Sequence, residues 1–197
     1  MRGLFLLAGV AAVLLLAPGC ATETGRGTDS APAPFGDVTV RVDPAKFAPE
    51  TKGLSRLANV EVSDIRQTVH SERTTIGGAS MGRIVIEPDE VQIVRALVQA
   101  KADAVLVRLG LMTMPTIYCG LRVFQVETPA TPLYWDVTTR IELVLRVAEQ
   151  DRTASATKME RTYVWPTQAL VQRVTDEALR QVAANAEQAL TELFAGR

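Results

Sequence analysis

Trp135–Trp165, WDVTTRIELVLRVAEQDRTASATKMERTYVW, is the stretch that decides the fold. Its first half alternates with a period of two. Val137, Thr139, Ile141, Leu143, Leu145 and Val147 share one face, and Asp136, Thr138, Arg140, Glu142 and Arg146 share the other. Successive side chains of a strand point to opposite sides, so this is a long strand with one buried face. The second half reads as its hairpin partner, with Met159, Tyr163 and Trp165 on the apolar face and Lys158, Glu160 and Thr162 opposite. Cross-strand pairs select a register that sets Glu142 against Lys158, Arg140 against Glu160, Ile141 against Met159 and Trp135 against Trp165. Each such pair contributes roughly 0.2–1 kcal/mol. That register requires a three-residue loop or a bulge around Gln150.

Downstream, Pro166 ends the strand and Thr167 is placed to cap a helix. Val171, Val174, Ala178, Val182, Ala186, Leu190 and Leu193 recur at steps of three and four, one apolar stripe of a long helix. Upstream, Val38, Val40 and Val42 alternate with Thr39 and Arg41, and Ala58, Val60 and Val62 alternate with polar neighbours up to Asp64. Periodicity is lost from Gln67 to Gly82, which reads as a polar, glycine-containing loop. Ile84–Ile86 extends before Pro88, which suits the first position of a helix and is followed by Asp89 and Glu90 in the first turn. Val91, Val94, Leu97 and Val98 form its face, and the helix runs to about Ala102. Ala104–Leu109 fits helix and strand equally. Tyr118–Val126 reads as a strand, broken by Thr128–Pro132. Together these elements make one α+β domain over residues 37–197: an antiparallel sheet with a long hairpin, covered on one face by two helices.

The first nineteen residues are of another kind. Gly3–Ala17 is an unbroken apolar run behind Arg2, shorter than the roughly 20 residues a membrane-spanning helix needs. It ends in Pro18-Gly19-Cys20, the layout of a secretory signal with a small-residue cleavage site. Leu16-Ala17-Pro18-Gly19-Cys20 resembles a bacterial lipobox, with its leucine one place further from the cysteine than the commonest pattern. Residues 1–19 are therefore expected to be a signal peptide and Cys20 the lipidation site. A single acyl chain binds membranes only marginally, and two or three anchor stably. Ala21 after the cysteine resembles the default for sorting to the outer membrane. Ala21–Gly36, rich in Thr, Gly, Pro, Ala and Ser, is the tether, so Cys20–Gly36 links lipid to domain. At full stretch its sixteen residues reach roughly 53–58 Å, and as a coil about 20–24 Å.

The chain of 197 residues is 47% hydrophobic and 22% charged, with a net charge of -1 and a pI near 5.9. That balance supplies one core and excludes a disordered chain, and it argues against nucleic acid as a partner. Cys119 has no second thiol to pair with once Cys20 carries lipid, so it reads as a buried free thiol. Gly78-Ala79-Ser80-Met81-Gly82 spells G-x-S-x-G, but it lacks the strand-to-helix elbow, and His70, the only histidine, precedes it. Gly77 and Gly82 carry the spacing of a phosphate loop, but Arg83-Ile84 stands where its Lys-Ser/Thr belongs. With one histidine and one unlipidated cysteine, a zinc site would need mostly carboxylate ligands, and none cluster in the sequence. No catalytic residue, metal or cofactor is expected. Trp135 and Trp165 read as hairpin core or rim, or as a stacking platform for a ligand. Asp64-Ile65-Arg66 is either a local ion pair or a contact. The loop that follows reads either as a solvated loop or as the best recognition surface, which gives Asp64, Arg66, His70 and Arg73 as candidate partner contacts.

The lipobox, the tether, a strand ending in Asp64-Ile65-Arg66, a polar loop reaching Ile76-Gly77 and a following helix form one half of a pattern. The paired strands around Ile141–Val147 and Thr162–Trp165, then a long C-terminal helix, form the other. Together they resemble the YajG-type outer-membrane lipoproteins. That resemblance implies a small periplasmic α+β domain and carries over no catalytic residues. The expected function is a non-enzymatic binding module, held by its acyl anchor on the periplasmic face of the outer membrane, engaging an envelope protein near that membrane. The alternative is a carrier or transport accessory for a lipid or other apolar ligand.

Overall fold

The computed structural model describes residues 36–47, 56–69, 71–112 and 114–195. The expected hairpin is its backbone. Strands β5 (Thr116–Pro129), β6 (Trp135–Val147) and β7 (Gln150–Thr162) form an antiparallel meander. On β6 every odd position from Val137 to Val147 is buried, as the alternation requires. Two shorter strands lie end to end along the other edge of β5. β2 (Asn59–Asp64) runs parallel to its first half, and β3 (Glu72–Thr74) runs parallel to its last three residues. β4 (Ser80–Glu87) returns antiparallel to β3, and β1 (Val38–Arg41) adds parallel to β4. The result is an open seven-stranded sheet in an α+β fold. It is mixed rather than wholly antiparallel, because three of its pairings are parallel.

Two helices cover the buried face. α1 (Glu90–Leu109) is capped by Asp89, whose carboxylate accepts from the Val91 N–H at 2.8 Å, so Pro88 lies outside the helix. It runs through the ambiguous Ala104–Leu109 stretch, because Val105 and Leu106 extend the buried stripe of Val98 and Ala102. Gly110, in the left-handed region at φ 66, ends it, and the Leu111 N–H reaches back to the Leu106 carbonyl. α2 (Gln168–Ala195) follows the Thr167 cap and buries all seven residues of its predicted stripe. It packs on β6 and β7 and also reaches β1 at the opposite end of the strand order. There the Gln172 amide both donates to and accepts from the Arg41 backbone at 2.8 Å, covering an edge that would otherwise be unpaired.

The hairpin register differs from the expected one. Trp135 lies opposite Thr162, Ile141 opposite Ala156 and Glu142 opposite Ser155. The turn holds only two residues, Ala148 at φ 55 and Glu149, which moves every pair by three positions. An odd shift exchanges the faces of β7. Ala154 and Ala156 therefore point into the core, and Met159 lies outside, 60% exposed. These small side chains suit a strand on which α2 packs closely, and the Asn185 amide donates to the Ser155 carbonyl at 2.7 Å. The polar stretch 67–82 holds the short β3–β4 hairpin rather than a loop alone. β5 continues through Thr128 and Pro129, and a bulge at Arg122 switches its buried positions from Ile117, Cys119 and Leu121 to Phe124, Val126 and Thr128.

Candidate functional site

Gly36 brings the chain to one end of this sheet. Its N–H donates to the Met81 carbonyl at 3.1 Å, and its own carbonyl accepts from Arg73 Nη1 at 3.0 Å. Gly82 makes that crossing possible. A Cβ there would stand 2.1 Å from the Gly36 oxygen, and its φ of 133° disfavours any side chain. Gly78, at φ 78, turns the hairpin tip, with its N–H on the Thr75 carbonyl at 2.9 Å. The glycines of G-x-S-x-G thus serve a turn and a close backbone approach. Ser80 stands at the first position of β4.

Arg73 points inward from β3 and is only 3% exposed. Its guanidinium carbon lies 4.4 Å from the centre of the Trp165 ring, a cation–π stack. Trp165 meets Trp135 edge-to-face at 5.6 Å. The expected tryptophan pair therefore forms, through the irregular chain after β7 rather than across the ladder. Beyond it Tyr134 and Tyr163 meet edge-to-face at 6.4 Å, and Arg161 covers the Tyr134 ring at 3.7 Å while holding Asp136 through two hydrogen bonds. This end carries exposed apolar side chains. Leu133 is 77% exposed and Tyr163 74%, and Val164 and Ile76, at the adjoining chain ends and turn, are exposed as well. The Ala130 N–H on the Thr74 carbonyl joins the segment before Leu133 to the Ile76 hairpin.

Burial sets the electrostatics. Desolvation lowers the pKa of Arg73, which has no carboxylate within ion-pair distance among the described residues. Among the described residues only its Nη1 is hydrogen-bonded; Nε, Nη2 and the Trp165 Nε1 find no partner there. Arg66 is different. Its side chain is equally buried, at 3%, but Nε and Nη2 grip Asp64 at 2.9 and 2.7 Å, and Nη1 lies 3.4 Å from Glu90 in the first turn of α1. The hydrogen bond from Arg66 lowers the Asp64 pKa, and the bond to Asp64 raises that of Arg66. Asp64-Ile65-Arg66 is therefore a local ion pair that fastens β2 to α1. His70, like Cys20 and the tether to residue 35, lies outside the described residues. Of the four expected contacts, Arg66 and Arg73 turn inward, at separate places along the β5 edge.

Cys119 is buried, and desolvation pushes its thiol up to about 12. Among the described residues no cluster of His, Cys, Asp or Glu is placed to hold a metal, and no helix is long and apolar enough to cross a membrane. Sequence reasoning missed the exposed apolar end. Its one signal is the pair of flanks Leu133-Tyr134-Trp135 and Tyr163-Val164-Trp165 at the two ends of the hairpin.

No family model matches the chain and no curated protein matches it, so the YajG-type resemblance rests on its sequence motifs alone. Solved structures share a distant likeness. A Xanthomonas campestris protein of the DUF330 family is 11% identical, covering 81% of this chain and 97% of its own, with a TM-score of 0.43. An uncharacterised protein is 10% identical over 79% of this chain and 92% of its own, at 0.38. A Caulobacter crescentus CB15 protein described as a "putative lipoprotein" is 13% identical over 51% and 82%, at 0.29.

Proposed function

We propose that this chain is a lipid-anchored envelope protein, held through Cys20 on the periplasmic face of the bacterial outer membrane, whose domain binds a partner protein without catalysing a reaction. The observation that carries this reading is positional. Gly36, the first described residue and the last of the expected tether, belongs to the end that exposes Ile76, Leu133, Tyr163 and Val164. Exposed aromatic and aliphatic side chains gathered at one end are the usual composition of a contact surface. At full stretch a tether of sixteen residues allows Gly36 no more than roughly 58 Å from its lipid. The partner therefore sits in the same membrane or extends to it.

Two variants test the two halves of the reading. Cys20→Ser abolishes acylation and leaves a soluble species or an unprocessed precursor. A Cys20→Ser protein that is still processed and membrane-bound contradicts the anchor. Leu133→Asp combined with Val164→Asp alters only exposed side chains, so the domain folds. After crosslinking in cells, the wild type retains an envelope protein that the double variant loses. Equal recovery from both contradicts the surface.

A further inference from the structure

Every bidentate arginine–aspartate pair at Asp64, Asp136 and Asp151 uses the same edge of the guanidinium. Arg66, Arg161 and Arg146 each present Nε and Nη2 to the two carboxylate oxygens, at 2.6–3.2 Å. In Arg73 that same edge meets no acceptor among the described residues. Its Nη1 is committed to the Gly36 carbonyl, Trp165 covers one face of the guanidinium, and Nε and Nη2 are buried. The Trp165 Nε1–H is a further buried donor without an acceptor among the described residues. All three unmet groups are donors, and none can accept. A buried guanidinium without a counter-charge is strongly disfavoured unless something completes it. A fork of two parallel N–H groups matches two oxygens of one oxyanion.

We propose that the Nε/Nη2 edge of Arg73, together with Trp165 Nε1–H, is the binding site for an oxyanion: the carboxylate or phosphate group of a small ligand. The donors are enclosed, so the ligand is admitted by movement of Trp165, which stands on the irregular stretch between β7 and α2. The positive end of α2 begins three residues further on and favours the same charge. Neither tryptophan is needed elsewhere as a fluorophore, since Trp135 and Trp165 are the only two in the chain and both belong to this cluster.

Tryptophan emission therefore reads the site directly. The full-length protein in a non-ionic detergent is titrated with sodium acetate, inorganic phosphate and dihexanoyl phosphatidylglycerol, each against sodium chloride at equal ionic strength. A saturable change with at least one of them, absent with chloride, is the expected result. Saturation by acetate or phosphate alone identifies a free anion as the source, and saturation only by the short-chain lipid identifies a headgroup. Arg73→Lys keeps the charge and loses the fork, and weakens binding at least tenfold. Trp165→Phe keeps the ring and loses the donor, and weakens it severalfold, with Trp135 as the reporter. Arg152→Gln, on the exposed far part of β7, leaves it unchanged. Circular dichroism confirms that each variant is folded, and Trp165→Phe carries the test if Arg73→Lys is not. The proposal is overturned if no probe saturates beyond chloride, or if the folded variants bind as tightly as the wild type.

Discussion

Replacing Gly82 by alanine separates the role of this glycine as a packing point from its place in a serine motif. The added Cβ would lie 2.1 Å from the Gly36 oxygen and 2.5 Å from its carbon, distances that no real structure tolerates. The Gly36 carbonyl must retreat by about 1 Å. That retreat breaks the Gly36–Met81 hydrogen bond at 3.1 Å and the Arg73–Gly36 bond at 3.0 Å. Each bond contributes about 0.5–1.5 kcal/mol. Holding alanine at φ 133 costs a further ~1–3 kcal/mol. The expected loss is about 2–6 kcal/mol, a large share of the ~5–15 kcal/mol of a typical domain. Two neighbours calibrate it. Gly78→Ala meets nothing within 4 Å but sits at φ 78, and loses about 1–2 kcal/mol. Gly77→Ala has its nearest neighbour at 3.9 Å and no positive φ, and stays within about 0.5 kcal/mol of the wild type. Urea unfolding of the three variants in a Cys20→Ser background, followed by far-ultraviolet circular dichroism, gives the order. Gly82→Ala within 1 kcal/mol of the wild type refutes the crossing at Gly36 as described.

Asp64→Asn leaves the buried Arg66 guanidinium without its bidentate partner and costs about 2–3 kcal/mol by denaturant unfolding. The carboxyl of Asp64 is held below its ordinary value of 3.8, so its contribution is complete above that pH and is lost as pH falls through the folded value. Stability of the wild type therefore falls below about pH 4, and Asp64→Asn flattens that part of the profile; an unchanged profile contradicts the ion pair. With its thiol pushed up to about 12, Cys119 is inert to a disulfide reagent at pH 8 in the folded protein and reacts once guanidinium unfolds it. Rapid labelling of the folded protein contradicts its burial. Leu179→Ala, at a fully buried position of α2, loses about 2–5 kcal/mol, and a loss below 1 kcal/mol contradicts its place in the core.

The parts legible in the sequence are those where apolar side chains keep one period. β6 and α2 show this best, because each buries an unbroken stripe. What escaped has physical causes. β3 points Arg73 inward, so its alternation carries no apolar signal. β7 buries Ala154 and Ala156 and exposes Met159, the reverse of what side-chain hydrophobicity suggests, because α2 packs close to it. Its two-residue turn contains Ala148 at positive φ rather than the glycine or asparagine that marks such turns. Ala104–Leu109 is rich in valine, which disguises a helix that Gly110 ends in the ordinary way. At the candidate site, Asp64–Arg66 was readable as a pair because its members lie two residues apart. The Arg73–Trp165 stack joins residues 92 positions apart and follows only from the fold.

Photoreactive residues placed in living cells at Leu133 and Tyr163, with Glu149 at the opposite end of the hairpin as the comparison, test the central claim most directly. The account predicts that Leu133 and Tyr163 crosslink one and the same envelope protein, identified by mass spectrometry, while Glu149 gives none. Crosslinks from Glu149 alone, or none from Leu133 and Tyr163, contradict it.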